Sequence, residues 1–143
     1  MVIAALFVSC LLGLPADGHI VRGFAPEGLY GGHWGIDIAV AAGTPVRAAA
    51  AGVVTFSGQV AGRASITISH GGSVRTSYSY LSRRSVAQGQ YVGVGEIIGL
   101  SGVDHGVEAI HFSLRLGDGY VDPMRAGCGP LNPGPGVRLV AAA

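Results

Sequence analysis

Apolar and polar residues alternate in short runs through the middle of the chain, and glycine-containing turns separate the runs, so the dominant period is two residues. The runs predict strands over Gly35–Val40, Gly52–Ser57, Ser65–His70, Val74–Leu81, Ile97–Leu100 and Ile110–Leu116. In the last of these, Ile110, Phe112 and Leu114 fall on one side, while Ala109, His111, Ser113 and Arg115 fall on the other. The runs flanking Gly71-Gly72 read as a hairpin, because a two-residue primed turn needs the positive φ that glycine supplies. No amphipathic helical period is sustained. The expected fold class is all-β, a glycine-rich antiparallel sheet.

The two ends differ from this middle. Val2 to Leu14 is an apolar run interrupted only by Ser9 and Gly13, too short to span a bilayer comfortably but suited to a signal-peptide core. A positively charged start is missing, so residues 1–16 read as a signal peptide, as a truncated leader, or as a buried first strand. Phe7-Val8-Ser9-Cys10 loosely resembles a lipoprotein cleavage box, which makes Cys10 a candidate for lipidation and the leader the one route to membrane attachment. Cys10 and Cys128 are the only cysteines; they form neither a disulfide framework nor a cysteine zinc site. Residues 126–143, rich in glycine and proline, read as a flexible tail. The working domain is then residues 17–125.

Composition narrows the function classes. A chain of 143 residues holds one domain with room for a core. A net charge of +1 with 12% charged residues gives no basic footprint for nucleic acid. All the basic side chains other than histidine are arginines, and the absence of lysine removes Schiff-base chemistry, a phosphate-loop lysine and any biotinyl or lipoyl attachment point. That exclusion matters because Ala51–Phe56 and Val86–Gly99 resemble strands of biotinyl and lipoyl carrier domains. The likeness is therefore one of barrel-sandwich-like architecture and not of function.

The most informative pentapeptide is His33-Trp34-Gly35-Ile36-Asp37. On a strand, positions 33, 35 and 37 share one face, so His33 and Asp37 project together and Gly35 leaves room for an ion; Trp34, Ile36 and Ile38 face a core. A surface histidine beside a surface carboxylate fits this pentapeptide equally well. His111 lies on the polar face of its own strand. Two imidazoles and one carboxylate form a common catalytic zinc set that leaves a fourth position for water.

His33-x-Gly-x-Asp37, Ala42-Gly-Thr-Pro-Val-Arg-Ala, Ser69-His-Gly-Gly, Thr76-Ser-Tyr-Ser-Tyr-Leu, Gly89-Gln-Tyr-Val, Ile110-His-Phe and Val121-Asp-Pro occur in this order. With these motifs the chain resembles the lysostaphin/LytM-type zinc metallopeptidases, which cut peptidoglycan cross-links. The resemblance covers roughly residues 21 to 125. It implies the lysostaphin-type fold, Zn2+ held by His33, Asp37 and His111, peptidoglycan peptides as partners, and an extracytoplasmic location, secreted or in the cell envelope.

Two departures bear on activity. The family's Tyr-x-His-Leu, whose histidine assists catalysis, stands here as Tyr78-Ser79-Tyr80-Leu81, and its His-x-His as Ala109-Ile110-His111. Both acid/base histidines are replaced while the matched ligands remain, a pattern that resembles a subset of actinobacterial relatives. Loss of one positioned acid/base group costs on the order of 10²–10⁴-fold. The expectation is a zinc metalloendopeptidase-like domain with weakened catalysis. The alternatives are a catalytically inactive zinc-binding module that binds peptidoglycan or regulates, and an envelope domain stapled by zinc.

Tyr80 is the candidate catalytic residue, as a hydrogen-bond donor to a developing oxyanion; its other reading is a packed aromatic. Glu108 is expected on the opposite strand face from Ala109 unless a bulge or loop re-aims it toward catalysis, His105 in a loop near the site as a flexible surface histidine rather than a catalytic one, His70 in a supporting strand-end position, and His19 in the linker without a specific role. Arg115 shares the face of His111, in reach of a peptide carboxylate or simply solvated.

Overall fold

A computed structural model describes residues 12–126 of the chain. The predicted runs all appear as strands, most of them longer than the alternation indicated: β4 (Ile36–Ala39), β6 (Gly52–Val60), β7 (Arg63–Ser69), β8 (Val74–Arg84), β10 (Ile97–Asp104) and β11 (Val107–Leu116). Between and beside them lie β1 (His19–Arg22), β2 (Ala25–Glu27), β3 (Gly31–His33), β5 (Pro45–Arg47), β9 (Tyr91–Val92) and β12 (Gly119–Val121), and a single turn of helix, α1 (Pro123–Ala126). These short strands span two to four residues, too few for alternation to register in the sequence.

The main sheet runs β1-β4-β11-β10-β8-β7-β6-β9, with β12 added to β11 and β5 to β10, while β2 and β3 form a separate ribbon. The pairings are antiparallel throughout. Strand β11 is shared between two neighbours: it pairs with β10 from Val107 to Ala109 and with β8 from His111 to Leu116. The apolar face of this sheet is the core. Ile36, Ile38, Ile66, Ile68, Ile110 and Leu114 are all at most 1% exposed, each worth about 1.5–3 kcal/mol on burial. Leu12 joins them, and the backbone beside it is tied down by bonds from the Gly13 amide to the Ala49 carbonyl and from the Arg47 amide to the Pro15 carbonyl. Residues 1–11 with Cys10, and the tail beyond residue 126 with Cys128, lie outside the described residues.

Two turns differ from the sequence reading. The β7–β8 hairpin does close on a primed turn, but the turn is one residue further along: the Val74 amide donates to the Gly71 carbonyl, with Gly72 (φ +57°) and Ser73 (φ +68°) at the centre. The stretch around His105, expected as a flexible loop, is instead a tight hairpin between β10 and β11 whose central residues His105 (φ +50°) and Gly106 (φ +81°) both have positive φ.

The loop of Ala48 to Ala51 is fastened to the sheet by a directional hydrogen-bond chain. The Ala49 amide donates to the Tyr78 hydroxyl (2.9 Å), which donates to Thr76 Oγ1 (2.7 Å), which donates to His70 Nε2 (2.7 Å); His70 Nδ1–H then donates to the Ala51 carbonyl (2.8 Å). The chain requires a neutral imidazole at His70. Burial depresses the His70 pKa from its ordinary value, only partly offset by the bond to Ala51, and burial raises the Tyr78 phenol to about 12. His70 therefore has the supporting role expected at this strand end.

As pH falls through about 6.5 the unfolded chain protonates at His70 while the folded chain resists until the lower folded value is reached. The stability contribution of this histidine is thus complete above about pH 6.5 and declines below it. Denaturant midpoints measured between pH 8 and 5 are expected to fall in that window. In His70→Gln the fall should be shallower; an unchanged slope would count against this account.

Candidate metal centre

Asp37 is placed by register. In the β4–β11 pairing Ile36, Asp37 and Ile38 lie opposite Phe112, His111 and Ile110, so the core residues face each other on one side and Asp37 meets His111 on the other. His33 comes from β3, across a bend. The expected continuous strand through residues 33–37 does not form: Trp34 and Gly35 are a bend between β3 and β4, and this corrects the reason His33 and Asp37 converge. A Cβ on Gly35 would lie 2.5 Å from the Phe112 carbonyl oxygen and 2.7 Å from His111 Nε2, so the missing side chain makes room for the His111 ring and β11 backbone. Trp34 is likewise not a core residue. It lines the pocket, donates its indole N–H to the Gly31 carbonyl (2.8 Å), and packs edge-on against Phe24 and Tyr120.

The donor atoms of His33, Asp37 and His111 lie within 4.8 Å of one another, with His33 and Asp37 buried and His111 partly exposed. Asp37 Oδ1 is 3.0 Å from His33 Nε2 and 2.8 Å from His111 Nδ1. His33 Nδ1–H donates to the Gly23 carbonyl (2.8 Å), which in the neutral ring leaves the Nε2 lone pair aimed at a carboxylate oxygen. Two lone pairs at that distance need a cation between them, a proton or a metal ion. The backbone carbonyl on the far ring nitrogen is also the usual support of a metal-ligating histidine. Ligand atoms of a tetrahedral zinc site sit about 3.4 Å apart, so a small relaxation of these side chains accommodates an ion. Burial pushes the Asp37 pKa up, but the His111 hydrogen bond and the charges of His33 and His111 outweigh it and hold the carboxyl below its ordinary value. The site favours an ionised carboxylate between two imidazoles.

Tyr80 lies at the rim of the same cleft, of about 380 Å³, with His33, His111, Arg63 and Asp104. Its position is a bulge. On β7 the register steps from Ala64↔Leu81 to Ser65↔Ser79, and on β11 His111 pairs with Ser79, so Tyr80 is skipped by both neighbours and has φ +64°. A non-glycine residue in this left-handed region stores roughly 1–3 kcal/mol, and bulges of this kind re-aim side chains. The ring is 6.4 Å from His111 and 5.9 Å from His105 by centroids, with the Arg63 guanidinium 5.0 Å over it. The ring is thus packed among His105, His111 and Arg63 at the rim of the cleft and not in the core. Burial, followed by the negative charge of Asp104, raises the phenol pKa, which keeps the hydroxyl a donor.

Asp104 was not singled out by sequence reasoning. It is 8% exposed, accepts a hydrogen bond from His105 Nδ1–H, and borders both the Tyr80 cleft and an adjoining one lined by Asp37, His105 and Ala109. The available signal was Gly106 following His105 between alternating residues, the mark of a two-residue primed turn. Glu108 points away from the site, as expected, and accepts from the Ala42 amide (2.9 Å). His19 is exposed on the edge strand β1, opposite Ala39.

Residues 31–123 match peptidase family M23. The chain is 41% identical over 95 residues to the DD-carboxypeptidase/endopeptidase Mpg of Neisseria meningitidis, covering 64% of this chain and 22% of that protein. Its fold resembles that of a zinc-containing peptidase of Vibrio cholerae (TM-score 0.71, 27% identity, 82% of this chain and 40% of the other). It also resembles the catalytic domain of the antimicrobial peptidase lysostaphin of Staphylococcus simulans (TM-score 0.64, 30% identity, 78% and 90%). The chain thus spans about a fifth of the length of the Neisseria relative.

Because a methyl group at position 35 meets backbone and a ligand ring, Gly35→Ala is expected to destabilise the fold by about 1–3 kcal/mol and to displace His111. Thermal unfolding and zinc titration of the variant should show both losses. A variant with wild-type stability and zinc uptake would refute the close-approach argument.

Proposed function

The chain belongs to peptidase family M23, and from that premise we propose that it is a zinc-dependent domain acting on the peptide cross-links of peptidoglycan, with slowed hydrolysis. The observation that carries this reading is the convergence of His33, Asp37 and His111, with the far nitrogen of His33 already committed to the Gly23 carbonyl. Zinc held there supplies Lewis-acid polarisation of a carbonyl and lowers the pKa of a water toward about 7. Peptidoglycan lies outside the cytoplasmic membrane, so the working location is extracytoplasmic.

The protein's own groups divide the remaining tasks. Trp34, which lines the cleft and is backed by Tyr120, gives an aromatic side that orients a peptide and sheds water from it. Tyr80, kept protonated, donates a hydrogen bond to a carbonyl oxygen as negative charge builds on it. Its high pKa makes it a poor base. Proton transfer falls to His105, whose Nδ1–H is engaged by Asp104 and whose Nε2 remains open at a cleft bordered by Ala109. His105 is on the hairpin tip with a largely exposed side chain, a looser placement than a buried acid/base group has, and this agrees with slow turnover.

A second reading rests on a specific observation. Neither family acid/base position carries an imidazole here, Tyr80 and Ala109 standing in their place, which favours a module that holds zinc and binds peptidoglycan, or regulates, without cleaving it.

Purified protein is expected to carry one equivalent of zinc, and His111→Ala close to none. Wild type should release peptide fragments from cell wall slowly. His105→Ala and Tyr80→Phe should lower the rate by an order of magnitude or more while zinc content is unchanged. Pairing Tyr80→His with Ala109→His should raise it. Absence of zinc from the wild type would overturn the proposal; full zinc without release in any of these proteins would establish the binding module instead.

A further inference from the structure

The polar face of the sheet continues beyond the metal cleft. In successive cross-strand rows, Asp37, His111, Ser79 and Ser65 are followed by Ser113, Ser77 and Thr67, and then by Arg115 and Arg75. The hydroxyls are already paired across β7 and β8, Ser65 with Ser79 at 2.9 Å and Thr67 with Ser77 at 2.8 Å, giving a hydroxyl-lined floor. Trp34 runs along one side and contacts Tyr120, and the Arg115 guanidinium sits 5.4 Å over the Tyr120 ring. The wall therefore leads from the metal cleft to the arginines.

Arg115 and Arg75 are directly opposite each other on β11 and β8. Like charges in that arrangement are destabilising. Among the described residues neither makes an ion pair; the pairs present are those of Asp37 and Asp104 with histidines. Arg75 has a single long hydrogen bond, from Nη2 to the Gly117 carbonyl at 3.4 Å, and both side chains are only half-buried. Asp118, which borders the shallow depression next to Arg75, forms no ion pair with it. An anion taking hydrogen bonds from both guanidinium groups would relieve the repulsion, and a carboxylate suits that fork.

We infer that Arg75 and Arg115 form a subsite for a carboxylate of a peptide that lies along β8 and β11 and presents a backbone carbonyl at the metal cleft. Four residue steps lead from His111 to Arg115, roughly 13 Å of extended strand, so the carboxylate stands about four extended residues from that carbonyl. The inference rests on the peptidoglycan reading for its substrate class and names the end of the stem peptide that the groove holds: one carrying free carboxylates. A stem peptide with lysine at its third position, the form used in the test, offers two sources, the α-carboxylate of an isoglutamate and the C-terminal carboxylate.

The test is equilibrium binding, read by Trp34 fluorescence, of a synthetic stem tetrapeptide and of its forms amidated at the isoglutamate, at the C terminus, and at both. Wild type is expected to bind the free acid about tenfold more tightly than the diamide, and the single amides identify which carboxylate is read. Arg75→Gln and Arg115→Gln should each remove most of the preference while keeping one equivalent of zinc. Arg115→Lys, which keeps the charge but not the planar fork, should keep only part of it. Equal affinity for acid and diamide, no binding at millimolar peptide, or a preference that survives Arg75→Gln combined with Arg115→Gln would each overturn the inference. Zinc uptake without a carboxylate preference sinks the subsite alone. A carboxylate preference without zinc uptake sinks the metal reading alone.

Discussion

One carboxylate oxygen, Oδ1 of Asp37, meets imidazoles from two directions, and the rest of the site depends on that meeting. It is fixed by the β4–β11 register, in which the buried pairs Ile38↔Ile110 and Ile36↔Phe112 flank Asp37↔His111. A slip of one residue would turn His111 into the core and bring an aliphatic side chain to Asp37, so the hydrophobic burial that holds the sheet also selects the donor geometry. The close approach at Gly35 reinforces this by letting the bend before β4 lie directly on β11.

The region where β11 changes partner is the second constraint. β8 and β10 share one edge of β11, and at the fork between them Tyr80 is squeezed out of register into a left-handed conformation. The same fork sets the short β10–β11 hairpin beside the cleft, with Asp104 buried and His105 at the tip. The hairpin thus stands directly beside position 109, since Ala109 and His105 border one cleft.

The strands that alternate over seven or more residues were legible from the chain because one face of each is buried and period two then becomes unavoidable. His111 could be assigned to the polar face for that reason, with Ile110, Phe112 and Leu114 marking the other. His33 and Asp37 were recognisable from their motif, but not the bend that joins them, because the space at Gly35 is defined by β11, more than seventy residues away in sequence. The Tyr80 bulge was hidden for a similar reason: Val74–Leu81 alternates locally, and only pairing with two partners of different register shows where it skips. Asp104 sits in a stretch whose polar, glycine-containing composition suggested a loop, and its burial arises from the strands that close around it.

The sharing of β11 has a thermodynamic side. The strand that supplies His111 is bonded to β4, β8, β10 and β12, so an ion held between His111, Asp37 and His33 binds the sheet at its most connected strand. Any ligand that prefers the folded chain adds RT ln(1 + [L]/Kd) to its stability, about 2.7 kcal/mol when the free ligand is a hundred times Kd. On the proposed zinc reading, metal supply in the surroundings would bear on how long the folded domain persists as well as on what it does.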